Sequence, residues 1–388
     1  MASAPGDLLS VPALVEEAAA RAGGSPGHPP FTDNLELLVS SSLRTGRLND
    51  TGLKVLRKAA LRHLRNLFYL QAYVDGHPDT PHRHLEGPVV VTGLPRTGTT
   101  LLHNLLSLDP ANRFLRLWEA LHPVPPGPGG PSVEALQAQA EGWLDAFYRM
   151  VPEFRAIHPA TPSGPEECDA LLQNTFASQH FDDMFDAEEY SAWLATAPLA
   201  GEYGHYALQL RALAAASPPG TRWALKSPSH LGHLDALLDA LPGCRVLVCH
   251  RDPRQAVGSY ASLIFAVRRP YSEETSPAVV GRQALQRAST AMRRALEVRD
   301  RAGGAPFVDV SYRELARDPV ATVHAVYRQL GRSLDAAIEE RMRRWVGENP
   351  QHKHGAHRYD LASFGLTEAE VDGAFAPYVE RFASALAG

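Results

Sequence analysis

One segment constrains the fold of this chain more than any other: PVVVTGLPRTGTTLLHNLLSL, at positions 88–108. A β-branched run is followed by a glycine-punctuated loop and then by an apolar helical stretch. From Gly93 to Thr100 the loop has the spacing GxxxxG-x-[ST], which is typical of a phosphate loop between a strand and a helix. Backbone amides and the helix N-terminus would converge on an anion there, with Thr99 and Thr100 as further donors.

Two later segments repeat the strand-then-helix pattern. CRVLVCHRDPRQAVGSYASLI, at 244–264, contains a buried-strand run up to His250 and a helix start near Pro253, and APFVDVSYREL, at 305–315, contains a further strand end. Strands that are each followed by helical sequence predict an α/β, P-loop-type three-layer fold with a central parallel sheet flanked by helices. Ligands should bind at the carboxyl ends of these strands.

The loop departs from that of a nucleotide triphosphatase. Such an enzyme has lysine after the second glycine, where this chain has Thr99, and its basic residue, Arg96, lies inside the loop. The best acidic candidate for a magnesium ligand, Asp309, lies within a strand run. We therefore expect a metal-free anion as the ligand.

Residues 1–85 are predicted to form a helical N-terminal extension, and residues 86–388 a single α/β domain. The clearest N-terminal helix runs from Leu53 to Tyr73, with Asp50 and Thr51 as possible caps. Its opposite face is basic, and we interpret that face as solvated in preference to a ligand surface. The basic residues are Lys54, Arg57, Lys58, Arg62 and Arg65.

Composition narrows the partners and the location. A net charge of −5 over 388 residues gives no general basic field for nucleic acid, so an anionic ligand needs a local basic site. The three cysteines show no CxxC spacing, which argues against a disulfide framework or a zinc site. The N-terminus lacks signal-peptide features, and no run reaches the roughly 18 apolar residues of a membrane span. We expect a cytoplasmic protein.

Four segments together resemble the sulfotransferases that use 3′-phosphoadenosine 5′-phosphosulfate (PAPS), and most closely their bacterial members and the tyrosylprotein branch. The first is the loop itself, LPRTGTTLL. The second, WALKSPSHL at 223–231, resembles a strand end on the substrate side. The third, HRDPRQAVGSY at 250–260, resembles the 3′-phosphate motif. The fourth, VSYRELARDP at 310–319, resembles the stretch beside the adenine.

The resemblance implies a donor site. Arg251 and Ser259, eight positions apart, would reach the 3′-phosphate, and Tyr312 would lie by the adenine. Lys353, in a segment only loosely similar to the family's, would approach the same phosphate. Lys226 resembles the lysine that stabilises the leaving group. The residues expected to hold the 5′-phosphosulfate are Arg96, Thr97, Gly98, Thr99 and Thr100.

A general base must take the proton of the acceptor hydroxyl. Glu119 is the first choice, because it follows the loop helix and the next apolar run much as the catalytic glutamate does in the tyrosylprotein branch. His230 lies near the place of the histidine used by cytosolic members. Glu167 is a third choice, although an acid just after Pro165 also suits the first turn of a helix.

The resemblance implies transfer of a sulfuryl group from PAPS to a hydroxyl of a small-molecule acceptor, with release of adenosine 3′,5′-bisphosphate (PAP). A small-molecule kinase and a binding protein without catalysis are the alternatives. Several aromatic residues would line an apolar acceptor pocket or belong to the core. These are Trp118, Phe147, Tyr148, Phe176 and Phe181.

Overall fold

Five parallel strands form one sheet in the computed structural model, which describes residues 5–24, 29–127, 130–157, 159–350 and 360–387. Helices cover both faces of the sheet, so the α/β prediction is confirmed. The strand order is β2, β3, β1, β4, β5, and the two-residue β2 is too short for a sequence pattern to reveal. The strands are β1 (Val89–Gly93), β2 (Asn112–Arg113), β3 (Arg222–Lys226), β4 (Arg245–His250) and β5 (Phe307–Ser311).

Alternate residues of each central strand pack into two different cores. Val246 and Val248 of β4 belong to a large core on one face of the sheet, whereas Leu247 and Cys249 belong to a core on the other. Because both faces are covered, the strands are apolar throughout instead of alternating with polar residues. The run of valines that marked β1 in the sequence has this origin.

The N-terminal part is helical, as predicted, and packs into the larger core of the sheet. Its longest helix begins at Asp50, and the preceding Asn49 side chain accepts a hydrogen bond from the Gly52 amide (2.9 Å). Asn49 is therefore the N-cap, and the interpretation of Asp50 and Thr51 as caps is wrong. The four helices are α1 (Pro5–Leu8), α2 (Val11–Ala22), α3 (Thr32–Thr45) and α4 (Asp50–Gly76).

Between β1 and β3 the described residues form eight α-helices, two of which flank β2. The stretches around 122–132 and 158–165 are rich in proline and glycine, and their described residues form no helix. The helices are α5 (Thr99–Leu106), α6 (Leu117–Leu121), α7 (Val133–Met150), α8 (Phe154–Ile157), α9 (Asp169–Leu172), α10 (Gln179–Phe185), α11 (Glu188–Thr196) and α12 (Ala200–Ala214).

The remaining helices follow β3, β4 and β5. One begins at Pro253, as expected, with the Asp252 side chain as its cap, and another begins at a capping box formed by Thr367 and Glu370. No helix in the described ranges is long and apolar enough to cross a membrane. They are α13 (Leu234–Ala240), α14 (Pro253–Arg268), α15 (Pro277–Arg301), α16 (Tyr312–Arg317), α17 (Pro319–Gln329), α18 (Ala336–Glu348), α19 (Glu368–Arg381) and α20 (Ala383–Ala387).

Short 3-10 turns complete the described structure. They lie at Thr80–His82, Gln173–Thr175, Pro228–His233, Arg269–Tyr271 and Ala362–Phe364. The turn after β3 matters most for the site, because it redirects the chain immediately beyond Lys226.

Buried histidines make the stability of this fold depend on pH. Burial lowers the pKa of His103 and of His230 to about 3. In the unfolded chain, each of these two histidines binds a proton below its ordinary pKa of about 6.5. In the folded chain, the same histidine accepts that proton only at far lower pH. The free energy of unfolding should therefore fall as the pH drops below about 6.5, by about 2 kcal/mol per histidine at about pH 5.

Urea unfolding of wild type and His103→Gln from neutral pH to about pH 5 measures this effect. The variant lacks one titrating group. Between neutral pH and about pH 5, its free energy of unfolding should therefore fall by about 2 kcal/mol less than that of the wild type. The same pH dependence in both proteins would contradict the burial argument.

Candidate active site

The loop after β1 is held in a conformation that few residues adopt. Gly93 has φ 148°, and a Cβ there would lie 2.5 Å from the Cys249 carbonyl oxygen. Gly98 has φ 87°, and its Cβ would lie 2.8 Å from the Tyr312 ring. Arg96 itself has φ 70°, a strained value for a residue with a side chain, at a cost on the order of 1 kcal/mol.

The concave side of this loop is suited to an anion. Gly98 is the N-cap of α5 and offers no side chain, so no side-chain hydrogen bond satisfies the first amides of the helix in the described structure. The Thr97 hydroxyl is used inside the loop, where it donates to the Leu94 carbonyl (2.7 Å). Thr100 lines the adjoining cavity, and Thr99 is buried beside it.

Residues that follow β4 and β5 meet the loop. The Arg251 guanidinium donates to the Arg96 carbonyl (2.7 Å) and lies over the Tyr312 ring, 4.2 Å from its centroid. Arg96 Nε donates to the Ser259 hydroxyl (3.1 Å), which α14 supplies. Four predicted donor-site residues from separate segments therefore converge at the carboxyl edge of the sheet.

In the described structure, Arg251 and Asp252 do not pair with each other at the start of α14, although they are adjacent in sequence. Asp252 caps α14 through the Arg254 amide (2.8 Å), and Arg251 donates instead to Gln255 and to the loop. The arginine therefore belongs to the anion-binding edge. Lys353, the remaining donor-site prediction, lies outside the described residues.

Lys226 links the loop to a carboxylate. It ends β3, its side chain is 1% exposed, and its ammonium lies 2.5 Å from Glu167 Oε1 and 3.5 Å from the Thr100 hydroxyl oxygen. Glu167 lines the cavity beside the loop, with 30% of its side chain exposed. The structure thus places a lysine and a carboxylate together next to the helix start.

Glu119 is placed differently. Its carboxylate accepts hydrogen bonds from the Arg113 guanidinium (2.7 Å), the Arg116 guanidinium (3.2 Å) and the Arg116 amide (3.0 Å). The side chain is 3% exposed and is not among the described residues that line the cavity. The structure separates Glu119 from the other predicted site residues, because it is both a helix cap and the counter-ion of a buried arginine.

His230 is also removed from the cavity. Its Nδ1 lies 2.8 Å from the Tyr203 hydroxyl and its Nε2 lies 3.1 Å from the Cys168 sulfur. Burial holds its pKa near 3, so the ring is neutral at ordinary pH. These contacts explain the histidine as a buried structural residue.

A cavity of about 1370 Å³ extends from the loop to α4. Its wall is mostly apolar and includes three of the five predicted aromatic residues, Phe147, Tyr148 and Phe181. Trp118 and Phe176 are buried elsewhere in the core, so for these two the pocket interpretation is wrong. Sequence analysis did not single out Trp143, which also lines the cavity.

The basic face of α4 is not simply solvated, which corrects the interpretation from sequence. Lys54, Lys58 and Arg62 line the cavity, while Arg57 forms an ion pair with Glu17 of α2. The spacing of four residues between these cations, which places them on one helix face, was visible in the sequence. That this face lines a cavity follows only from the apolar helices that pack across from it.

Asp169 is a further acid that sequence analysis missed. It lines the cavity two residues after Glu167, and one carboxylate oxygen accepts a hydrogen bond from Ser178. The other oxygen is buried with no hydrogen-bond partner in the described structure, and burial raises the pKa of the group. Its sequence context is that of an ordinary acid at a helix start, so no local signal marks it.

Fold and site define an α/β protein whose glycine-rich loop lies beside a large cavity. A sequence model described as the sulfotransferase family matches residues 88–336, and the chain therefore belongs to the sulfotransferase family. The likeness to the tyrosylprotein branch stays a prediction.

Two bacterial crystal structures resemble the whole chain. Sulfotransferase STF9 from Mycobacterium avium is 29% identical, with 95% of this chain and 96% of that chain covered and a TM-score of 0.81. Sulfotransferase STF1 from Mycobacterium tuberculosis H37Rv is 28% identical, with 94% and 98% covered and a TM-score of 0.79. The comparison with curated proteins finds no significant match.

Glu119→Gln tests the structural explanation of that carboxylate. The change leaves the Arg113 guanidinium without its buried counter-ion, so the free energy of unfolding should fall by about 3 kcal/mol, while the affinity for PAP stays unchanged. Urea unfolding and calorimetric titration measure the two quantities. Glu141→Gln, at an exposed position of α7, is the matched control and should change neither. A fully stable Glu119→Gln protein would contradict the explanation.

Proposed function

We propose that this sulfotransferase transfers the sulfuryl group of PAPS to a hydroxyl of a small-molecule acceptor and releases PAP. The observation that supports this most is the convergence of Arg96, Arg251, Ser259 and Tyr312 on the loop, beside the Lys226 and Glu167 pair. The first group is suited to a nucleotide that carries two separate phosphates, and the second to proton transfer at the neighbouring cavity.

The donor would be held by residues at the ends of three strands. Arg251 and Ser259 would bind the 3′-phosphate, because a guanidinium and a hydroxyl meet there beside the start of α14. The uncapped amides of α5, with Arg96 and Thr100, would bind the 5′-phosphosulfate. The absence of a Cβ at Gly98 lets the Tyr312 ring pack against the loop.

PAPS would supply the sulfuryl group, which leaves a phosphate oxygen and bonds the acceptor oxygen. Lys226 would stabilise the negative charge that develops on the leaving phosphate, since its ammonium lies beside Thr100 at the start of α5. Glu167 would accept the proton of the acceptor hydroxyl as that oxygen bonds sulfur. When Lys226 turns to the donor phosphate, its hold on the Glu167 carboxylate weakens, which favours proton uptake there.

Glu167 is preferred as the base because of where the three candidates lie. Its carboxylate lines the cavity and contacts Lys226. Glu119 is engaged by two arginines, and His230 is enclosed by Tyr203 and Cys168. A base must reach the substrate proton directly or through one water, which favours the group at the cavity wall.

Arg251→Gln tests the donor site. The loss of a charge-assisted bond to phosphate should weaken PAP binding by about 1.5 to 3 kcal/mol, or roughly 10- to 150-fold, in calorimetric titration. Arg254→Gln is the matched control, because that arginine pairs with Glu368 and Asp372 outside the cavity. Unchanged PAP affinity in Arg251→Gln, or tighter binding of ATP with magnesium than of PAP, would contradict the proposal. The second result would favour a kinase.

Glu167→Gln tests the base. The amide keeps a hydrogen bond to Lys226 but cannot accept the proton, so turnover should fall by a factor on the order of 100 to 10,000 at unchanged PAP affinity. Turnover is measured by label transfer from PAPS to whichever hydroxyl compound an acceptor screen identifies. Normal turnover in Glu167→Gln would assign the proton transfer elsewhere. A loss confined to Glu119→Gln or to His230→Gln would show which group performs it.

A further inference from the structure

The cavity wall contributed by α4 is positively charged, although the cavity as a whole is mostly apolar. Lys54, Lys58 and Arg62 are four residues apart, so they lie along one face of the helix, and all three line the cavity. None of them forms an ion pair with an acid in the described structure. This row of cations is separate from the donor loop, which lies at the ends of the strands.

Arg62 is held in place by a chain of neutral groups. Its guanidinium donates to His63 Nε2 (3.1 Å), and His63 Nδ1 donates in turn to the Asn174 side-chain oxygen (2.7 Å). The Asn174 amide then donates to Gln209 (2.7 Å). This direction of donation follows from chemistry, because a guanidinium cannot accept a hydrogen bond. The chain orients Arg62 without neutralising it.

Among the described residues, no carboxylate forms an ion pair with Arg62. Burial and the neighbouring Arg65 lower the pKa of Arg62 to about 10, and Arg62 contributes to the lowered pKa of His63 and of His122. Its Nε is buried with no hydrogen-bond partner in the described part of the chain.

Three arginines whose side chains are less than a tenth exposed are paired with acids. Arg113 pairs with Glu119, Arg268 with Asp186, and Arg287 with Asp182 and Asp183. A cation removed from water without such a partner is costly for the fold. Arg62 is half-buried, lines the cavity and lacks an acidic partner among the described residues, so a ligand bound in the cavity would supply its counter-ion.

We infer that the acceptor is an anionic amphiphile: an apolar body in the cavity, and a phosphate, sulfate or carboxylate group bound by Arg62 with Lys58 and Lys54. The inference rests on the proposed function, because the same cavity would hold the reacting hydroxyl beside Glu167. Trp143 supports this placement, since its ring lies at the cavity wall with the Arg62 guanidinium 5.8 Å from its centroid. A flat ring beside a cation suits the junction between an apolar chain and a charged group.

Three probes separate charge from apolar contact: decyl phosphate, decanol and inorganic phosphate. Each is titrated calorimetrically into the full chain saturated with PAP, so that the donor phosphate sites are filled. Decyl phosphate should bind at least about tenfold more tightly than decanol, because one charge-assisted contact accounts for that ratio. Inorganic phosphate should bind far more weakly than decyl phosphate. Equal binding of decyl phosphate and decanol would overturn the inference.

Variants then locate the anion. Arg62→Gln should reduce the preference for decyl phosphate over decanol by roughly 10- to 100-fold. Lys58→Gln should reduce it by a few-fold, because that side chain is exposed and screened by solvent. Arg57→Gln, the matched control on the same helix, should leave it unchanged. A preference retained in both Arg62→Gln and Lys58→Gln would overturn the inference.

Measurements of stability and of PAP binding distinguish failure of this inference from loss of the fold and from failure of the proposed function. Arg62→Gln should unfold at the same or a higher urea concentration than wild type, since it removes a half-buried charge that has no acidic partner among the described residues. If Arg62→Gln unfolds early, Lys58→Gln still decides the matter, because an exposed side chain can be changed without loss of the core. Wild-type protein that prefers decyl phosphate but does not bind PAP would contradict the proposed donor and support the anion site. Wild-type protein that binds PAP but shows no preference for decyl phosphate would support the proposed donor and contradict the anion site.

Discussion

The contact between Gly93 and the Cys249 carbonyl sets the geometry on which the site depends. Gly93 of β1 pairs with Cys249 of β4, and a Cβ at Gly93 would lie 2.5 Å from the Cys249 carbonyl oxygen, so only glycine fits there. The chain must then turn sharply, and it does so through the left-handed conformation of Arg96. That turn brings the loop backbone under the Arg251 guanidinium and leaves the α5 amides without a side-chain cap. Arg96 thus places a strained residue at the loop, and such strain is common at binding sites.

Charge is distributed unequally between the scaffold and the site. In the scaffold, buried cations are neutralised by acids from the same chain, as Arg113 is by Glu119. At the cavity, Lys226 pairs with a partly exposed Glu167, and Arg62 donates to the neutral ring of His63. Uncompensated or loosely compensated charge lowers stability but strengthens binding of a complementary ligand. The proposed donor and acceptor sites use this difference in two separate regions of one cavity.

Much of the fold and of the donor-side region was predictable, because both depend on local patterns. Apolar runs ending in glycine or charged residues identified β1, β4 and β5, and the phosphate-loop spacing located the turn. Because parallel strands end at one edge, residues just beyond those ends, such as Arg251 and Tyr312, could be expected to meet. The two-residue β2 escaped prediction because it has no pattern of its own, and pairs only because β3 lies beside it.

The sequence by itself determined which residues are chemically able to act, and where the strands and the loop lie, since those features depend on neighbours in the chain. Only the tertiary structure decided which candidates reach the cavity. Glu119 and Glu167 were both candidates for the base in the sequence. In the structure, Glu119 contacts arginines, whereas Glu167 contacts Lys226, which is distant in the chain. Likewise, a basic helix face is solvated or lines a cavity according to what packs across from it. Burial and partners depend on residues far apart in sequence, and no local pattern encodes them.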